Sequence, residues 1–315
     1  MVKFGICFSK EFKGNKPLSH VGKKLPTYIK FLKLCQRQNW EVYVLTRREY
    51  KGKGIFAKSW LFKNDKFEQF IKPVKIDIIY DKTGGMNFPL EKDRSVIFVD
   101  QRNFKKLCWD KYLAYKKFKK YMPETYLIND KKGLKSKLSK IKTSKVVLKP
   151  TNGLGGKGIF IGSKKEALKF NFHKKYKKYI AQEFLDTSCG IPGLVKGMHD
   201  IRVVVLNKKI VWSHVRTPRK GEFLSSVAQG GDIAEIKISE IPLSIQSITK
   251  QISKSIYKNY DNPVFSLDFG MTSAGPKIFE INDQIGFPTW EMQIRDDFLE
   301  ELIKNFASKL AKLIT

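Results

Sequence analysis

The sequence predicts an α/β protein: a small parallel α/β lobe at the N-terminus, followed by a longer α+β region. Three observations carry that expectation. Strand-like and helix-like runs alternate over the first hundred residues, two strand-like runs flank a glycine-rich loop at 146–162, and two apolar runs at 266–270 and 279–283 carry oxygen-bearing side chains. A hydrophobic fraction of 42% and an aromatic fraction of 13% give the 315 residues enough apolar surface for a core divided among two or three subdomains.

Taken in order, "VKFGICF" (2–8) reads as a strand, "LPTYIKFLKLCQRQ" (25–38) as a helix and "EVYVLT" (41–46) as a strand. "KIDIIYD" (75–81) and "SVIFVD" (95–100) are further short apolar runs bounded by polar residues or glycine. Residues 103–120 form one lysine-rich amphipathic helix with Phe104, Leu107, Cys108, Tyr112, Tyr115 and Phe118 near a single stripe, ended by Met122-Pro123. An edge strand at 124–128 and a short helix at 131–141 follow. Strands are expected at 145–149, 158–162, 179–185, 201–206 and 209–215, then a helix at 242–257. The two oxygen-bearing strands turn at Gly275-Pro276, and an amphipathic helix spans 291–313.

No apolar run reaches the roughly 18 residues of a membrane span, and "MVKFGICFSK" is too soon interrupted for a secretory signal. Cys7, Cys35, Cys108 and Cys189 form no CxxC pair, which argues against a zinc knuckle or a disulfide framework and for a reducing cytoplasm. The net charge of +31 invites an acidic partner or nucleic acid. Nine arginines leave 52 lysines among the 61 basic residues, however, and base readout leans on arginine forks. The charge is therefore read chiefly as a solvated surface.

"VVLKPTNGLGGKGIFIG" (146–162) sets Gly153, Gly155, Gly156 and Gly158 between two strands. Glycines let the backbone approach a phosphate, and Lys149 and Lys157 add charge. It is not a Walker A loop, since Gly158 follows Lys157 where a hydroxyl should ligate magnesium, and no helix follows as a dinucleotide turn requires. Asp268-Phe269-Gly270 spells the DFG of kinases, but no HRD-type loop precedes it and Lys149 lies on the wrong side of the glycines. Downstream, Asp268, Glu280 and Asn282 supply three hard oxygen donors, with Glu280 and Asn282 on one strand face. That is the set magnesium takes when it arrives with a nucleotide.

Together these segments resemble the ATP-grasp superfamily of carboxylate–amine ligases, in the branch of prokaryotic glutathione synthetase and the glutamate ligases that modify ribosomal proteins. The resemblance covers roughly 103–290. It implies an ATP-grasp fold: a preceding α/β domain (1–102), a small subdomain with the glycine loop (103–190) and a large subdomain with the metal site (191–315), the last two gripping ATP. "DKYLAYKKF" supplies a phosphate lysine, Lys111, and "VVLKP" a second, Lys149. "AQEFL" is similar to the hinge that reads adenine, with Glu183, Phe184 and Leu185. "DIR" and "VRTPRKGEFLSSVAQGG" are similar to the family's paired strands, with Ser226 where the branch usually has Asn. The connection 186–199 is longer than usual.

The resemblance implies ATP and Mg²⁺, with two ions (or Mn²⁺) shared through Glu280, and a ligase that forms an amide through an acyl phosphate. Arg202 and Arg216 are expected to hold the acyl-phosphate and tetrahedral oxygens, the alternative for them being salt bridges to Asp200 or Glu222. The substrates are expected to be small-molecule or peptide carboxylates and amines, acidic ones among them. Asp186 reads equally as a ribose contact or a turn cap, and His199 and His214 as structural. A kinase-type phosphotransferase and a nucleotide-bound nucleic-acid binder are the competing functions.

Overall fold

The computed structural model describes residues 1–13, 16–89, 96–153, 155–223 and 231–314. Val2–Phe8 (β1), buried over its last five residues, leads into helix Leu25–Arg37 (α1) and the parallel strand Trp40–Thr46 (β2). Tyr50–Gly52 (β3) and Ile55–Phe56 (β4) begin a small separate sheet. Ser59–Lys63 (β5) and Lys66–Phe70 (β6) form a hairpin that joins β2 antiparallel. Val74–Lys75 (β7) completes the small sheet, and Ile78–Asp81 (β8) and Ile97–Val99 (β9) extend the parallel side, giving the order β6-β5-β2-β1-β8-β9. The expected parallel lobe thus carries an antiparallel edge. Its signal is Asn64-Asp65 between two alternating runs: both residues take positive φ, 49° and 62°, as a two-residue hairpin turn requires.

The single helix expected over 103–120 is two, Arg102–Trp109 (α2) and Lys111–Phe118 (α3). Asp110 leaves helical space (φ −97°, ψ 98°), and its carboxylate accepts from the amides of Tyr112 at 3.0 Å and Leu113 at 3.1 Å, an N-cap inside the apolar stripe. Lys111 therefore opens α3, with its amide donating to the Thr151 carbonyl at 2.9 Å. Thr125–Ile128 (β10), Lys131–Lys140 (α4), Lys145–Pro150 (β11), Phe160–Ser163 (β12), the short helix Lys164–Ala167 (α5) and Tyr179–Glu183 (β13) follow. Their strands form an antiparallel sheet β10-β13-β11-β12 with β10 at the edge, as expected.

Asp200–Leu206 (β14), Lys209–Thr217 (β15), Asp232–Glu235 (β16), helix Leu243–Asn259 (α6), Phe265–Thr272 (β17) and Gly275–Asn282 (β18) build the sheet β16-β15-β14-β17-β18, before helix Arg295–Ile314 (α7). Gly275 and Pro276 do not make the turn but open β18, with Gly275 at φ +100° next to the Ser273-Ala274 link. Alternation along β14 divides the core. Val204 and Leu206 face Phe4, Phe31, Tyr80, Phe287, Phe298 and Phe306, whereas Val203 and Val205 face Phe104, Ile245 and Phe269. One aromatic core thus runs from the N-terminal lobe to α7, with Phe4 and Phe306 stacked at 5.5 Å. A further core, with Leu134, Leu148 and Tyr179, underlies the four-stranded sheet.

Candidate active site

Residues of the four-stranded and five-stranded sheets line one cleft of about 310 Å³. The structure brings to it Lys111, Lys149, Gly153, Gly155, Gly156, Lys157, Glu183, Phe184, Leu185, Arg202, Arg216, Asp268, Glu280 and Asn282, all singled out from the sequence, whereas Gly158, Asp186 and His214 do not line it. Lys149, near the end of β11, is buried and donates to the Phe279 carbonyl at 3.4 Å. Burial lowers it to about 8, against the upward pull of Glu280. Lys111 Nζ sits 2.9 Å from Glu280 Oε1 and 3.0 Å from the Gly153 carbonyl, tying β18 to the glycine loop. In that loop Gly155, Gly156 and Gly158 all take positive φ, and a Cβ on Gly158 would come within 2.9 Å of the Tyr176 ring. Lys157 is exposed at the loop.

Apolar side chains line the same cleft: Val147, Ile161, Met198 and Phe279, none of them singled out in the sequence. For Val147 and Ile161 the signal is alternation along β11 and β12, and for Phe279 a register shift in β18 that no sequence pattern marks. In the hinge, the Glu183 amide donates to the Glu124 carbonyl at 3.0 Å and that of Phe184 to Thr143 Oγ1 at 3.3 Å. The Leu185 amide has no protein acceptor among the described residues. Asp186 accepts from the Ser188 amide at 2.9 Å, which makes it a turn cap. Ser226 and Gly230, in the segment likened to the family's paired strands, lie outside the described residues.

Cross-strand register sets the charge centre, because Arg202 stands opposite Asp268 and Asp200 opposite Arg216. Arg202 donates bidentately to Asp268, Nε to Oδ1 and Nη2 to Oδ2, both at 2.7 Å. Arg216 donates to Asp268 Oδ2 at 2.9 Å and to Asp200 Oδ1 at 2.6 Å, so the salt bridge weighed against an anion-holding role is present. Burial would raise the Asp268 carboxyl; the two guanidinium groups outweigh it and hold the carboxyl well below the usual range. Burial, then the Arg202 charge, drives His214 down to about 3, leaving a neutral ring.

Asn282 Nδ2 donates to Asp268 Oδ2 at 3.2 Å, and Glu280, 29% exposed, faces the cleft. Among the described residues no group of three or more His, Cys, Asp or Glu is gathered for a metal. Two carboxylates and one amide oxygen fit a magnesium ion that brings phosphate oxygens and water with it, and do not make a complete cage. Asp268-Phe269-Gly270 lies within β17 with Phe269 fully buried, so the DFG spelling is strand interior. All four cysteines are free. No helix among the described residues is long and apolar enough to cross a membrane.

A family model described as the RimK-like ATP-grasp domain matches residues 105–306. Probable alpha-L-glutamate ligases of Legionella pneumophila and Cellvibrio japonicus are 27% and 28% identical over 173 residues, 54% of this chain and 52% of theirs. The chain spans about half the length of the curated relatives it matches. The D-alanine–D-alanine ligase of Bacillus anthracis, crystallised with ATP, superposes with a TM-score of 0.65 at 14% identity, covering 99% of this chain and 98% of that one. A RimK domain ATP-grasp protein of Sphaerobacter thermophilus gives 0.60 at 10% identity, with 95% and 99% covered. These likenesses show the fold, and the family model spans well over half of the sequence. The chain has the ATP-grasp fold and belongs to the RimK-like ATP-grasp family.

Proposed function

We propose that the protein is an ATP-dependent ligase that joins a carboxylate to an amine through an acyl phosphate, releasing ADP and phosphate. One observation carries this reading: three lysines, two arginines and the three oxygen donors Asp268, Glu280 and Asn282 line a single cleft together with apolar side chains. Residues 103–190 and 191–315 are assigned as the small and large ATP-grasp subdomains, with 1–102 as the preceding lobe. The apolar side chains and the Leu185 amide would take adenine, and Lys111, Lys149 and the glycine loop the phosphates. Asp268, Glu280 and Asn282 would hold Mg²⁺, two ions sharing Glu280 or Mn²⁺ in their place, which supplies charge neutralisation of the triphosphate when bound.

A substrate carboxylate oxygen attacks the γ-phosphorus in line, and the bond to the ADP oxygen breaks. The amine nitrogen then adds to the acyl carbon. Arg202 and Arg216, each with Nη1 uncommitted among the described residues, face the oxyanion. Collapse expels phosphate and leaves the amide, with the amine proton passing to solvent. The glycine loop excludes water that would hydrolyse the acyl phosphate. Free thiols support a cytoplasmic setting.

The relatives' name makes glutamate the first amino acid to test, alone and with peptides. The reading expects ADP, phosphate and an amide product in equal amounts, followed by mass spectrometry. ATP turnover that leaves phosphate on an acceptor, or no ADP with any amino acid or peptide, would sink it.

A further inference from the structure

The net charge is unevenly placed on the fold. Residues 103–190 carry 23 lysines, no arginine and six acids, whereas 191–315 carry 16 basic residues and 14 acids. The excess peaks from Lys131 to Lys178, with 16 lysines against one acid, Glu166. That carboxylate is taken up by the capping box of α5 with Ser163. No lysine of this run forms an ion pair among the described residues.

The fold gathers the run onto one face. On β11, Val147 and Lys149 line the cleft, while Val146 and Leu148 join the core under Leu134 and Leu138 of α4 and Ala167 of α5. Helices α4 and α5 and residues 168–178 therefore cover the side of the four-stranded sheet opposite the cleft. Lys164 donates to the Ile141 carbonyl, which ties the start of α5 to the end of α4. Ile128 pairs with Tyr179 across β10 and β13, so the beginning of α4 and residues 174–178 meet at one end of that sheet. Lys131, Lys132 and Lys135 are exposed on the first, and Lys174, Lys175 and Lys177 on the second.

Lysine grips phosphate as a point charge and lacks the fork that reads base edges. Protein interfaces are anchored by arginine and aromatic side chains and are poor in lysine, unlike this face. Leu168 is the one large apolar residue exposed in the run among the described residues, too little to enter a membrane. Phe170, Phe172 and Tyr176 pack against the core and around Tyr179 instead of offering rings to unpaired bases. We propose that the outer face formed by α4 and residues 164–178 docks duplex nucleic acid through its phosphates, without base readout. Helix α4, with ten residues, is about 15 Å long, and that length of duplex carries about nine phosphate charges.

Fluorescence anisotropy of a labelled DNA duplex with the full chain tests this without turnover, and so independently of the ligase reading. The expected Kd is on the order of 10⁻⁶ to 10⁻⁴ M at about 150 mM salt, weakening as salt rises. A triple variant, Lys131→Gln with Lys132→Gln and Lys135→Gln, should weaken binding about tenfold and reduce the log–log salt slope by about 2 to 3. Lys174→Gln with Lys175→Gln and Lys177→Gln should do the same. Lys250→Gln with Lys254→Gln and Lys258→Gln removes equal charge from exposed positions of α6 and should leave duplex affinity nearly unchanged. Saturating ADP should leave it unchanged too, and unaltered ADP affinity in the variants checks their fold. The proposal is overturned if duplex affinity is indifferent to the first two variants, falls equally in the α6 variant, or is lost with ADP. Poly-L-glutamate or phosphatidylglycerol vesicles bound as tightly as the duplex would also overturn it, in favour of an acidic protein or a membrane.

Discussion

Lys149 enters the cleft as a cation opposed by its surroundings. Its proton leaves the folded chain near pH 8, well before the 10.5 of a free lysine. The stability cost of burying it is therefore present in full below about pH 8 and fades as pH rises toward 10.5. Polyanion binding runs the opposite way, and ADP affinity is expected to fall as pH is raised from about 7 to about 9. Lys149→Met should flatten that profile and weaken binding by about 1.5–3 kcal/mol, read by calorimetry. Asp268 differs from Glu280 in kind. Asp268→Asn leaves two guanidinium groups short of counter-charge and should cost about 3–5 kcal/mol in urea unfolding. Glu280→Gln, half-exposed, should stay within about 0.5 kcal/mol in the same measurement while abolishing turnover. The oxygen trio was legible because its spacing is local. The Arg216–Asp200 bridge was one of the alternatives the sequence offered, but the convergence of both arginines on Asp268 was not, since it depends on which strands become neighbours across more than fifty residues.

At the level of elements, the sequence exposes periodicity more readily than interruption. The stripe from Phe104 to Phe118 continues across Asp110, and nothing in the apolar pattern marks the break. Only the capping chemistry of aspartate does. Asp110→Ala is expected to cost about 1 kcal/mol in chemical denaturation and to loosen the start of α3. Because Lys111 is the first residue of that helix, ADP affinity should drop in the same variant, and unaltered affinity would uncouple the cap from the site. The β5–β6 hairpin was missed for a related reason: its strands are short and half-polar, and Asn64-Asp65 speaks only through its backbone angles. By contrast, α6 and α7 were legible to within a few residues, since a long apolar stripe leaves little choice of period.

Across the whole molecule, one buried cation fastens the lobe to the end of β18. Lys105 on α2 joins Asp81 at the end of β8 to Asp283 just past β18, and Gln284 adds a bond to the Asp81 carbonyl at 3.0 Å. Lys105→Met would leave two facing carboxylates without their cation, and a loss of about 3–5 kcal/mol at pH 7 is expected from thermal or urea unfolding. A loss under about 1 kcal/mol would mean that the halves are held by aromatic packing alone. That packing closes over a great span of chain, for the ring of Phe4 rests on Phe306, roughly three hundred residues later. During translation, then, Phe31 and Trp40 can cover part of the first strand's greasy face early, while the flank that meets Phe306 stays open until α7 has been made. Chaperone demand in the cell should track how promptly α7 arrives.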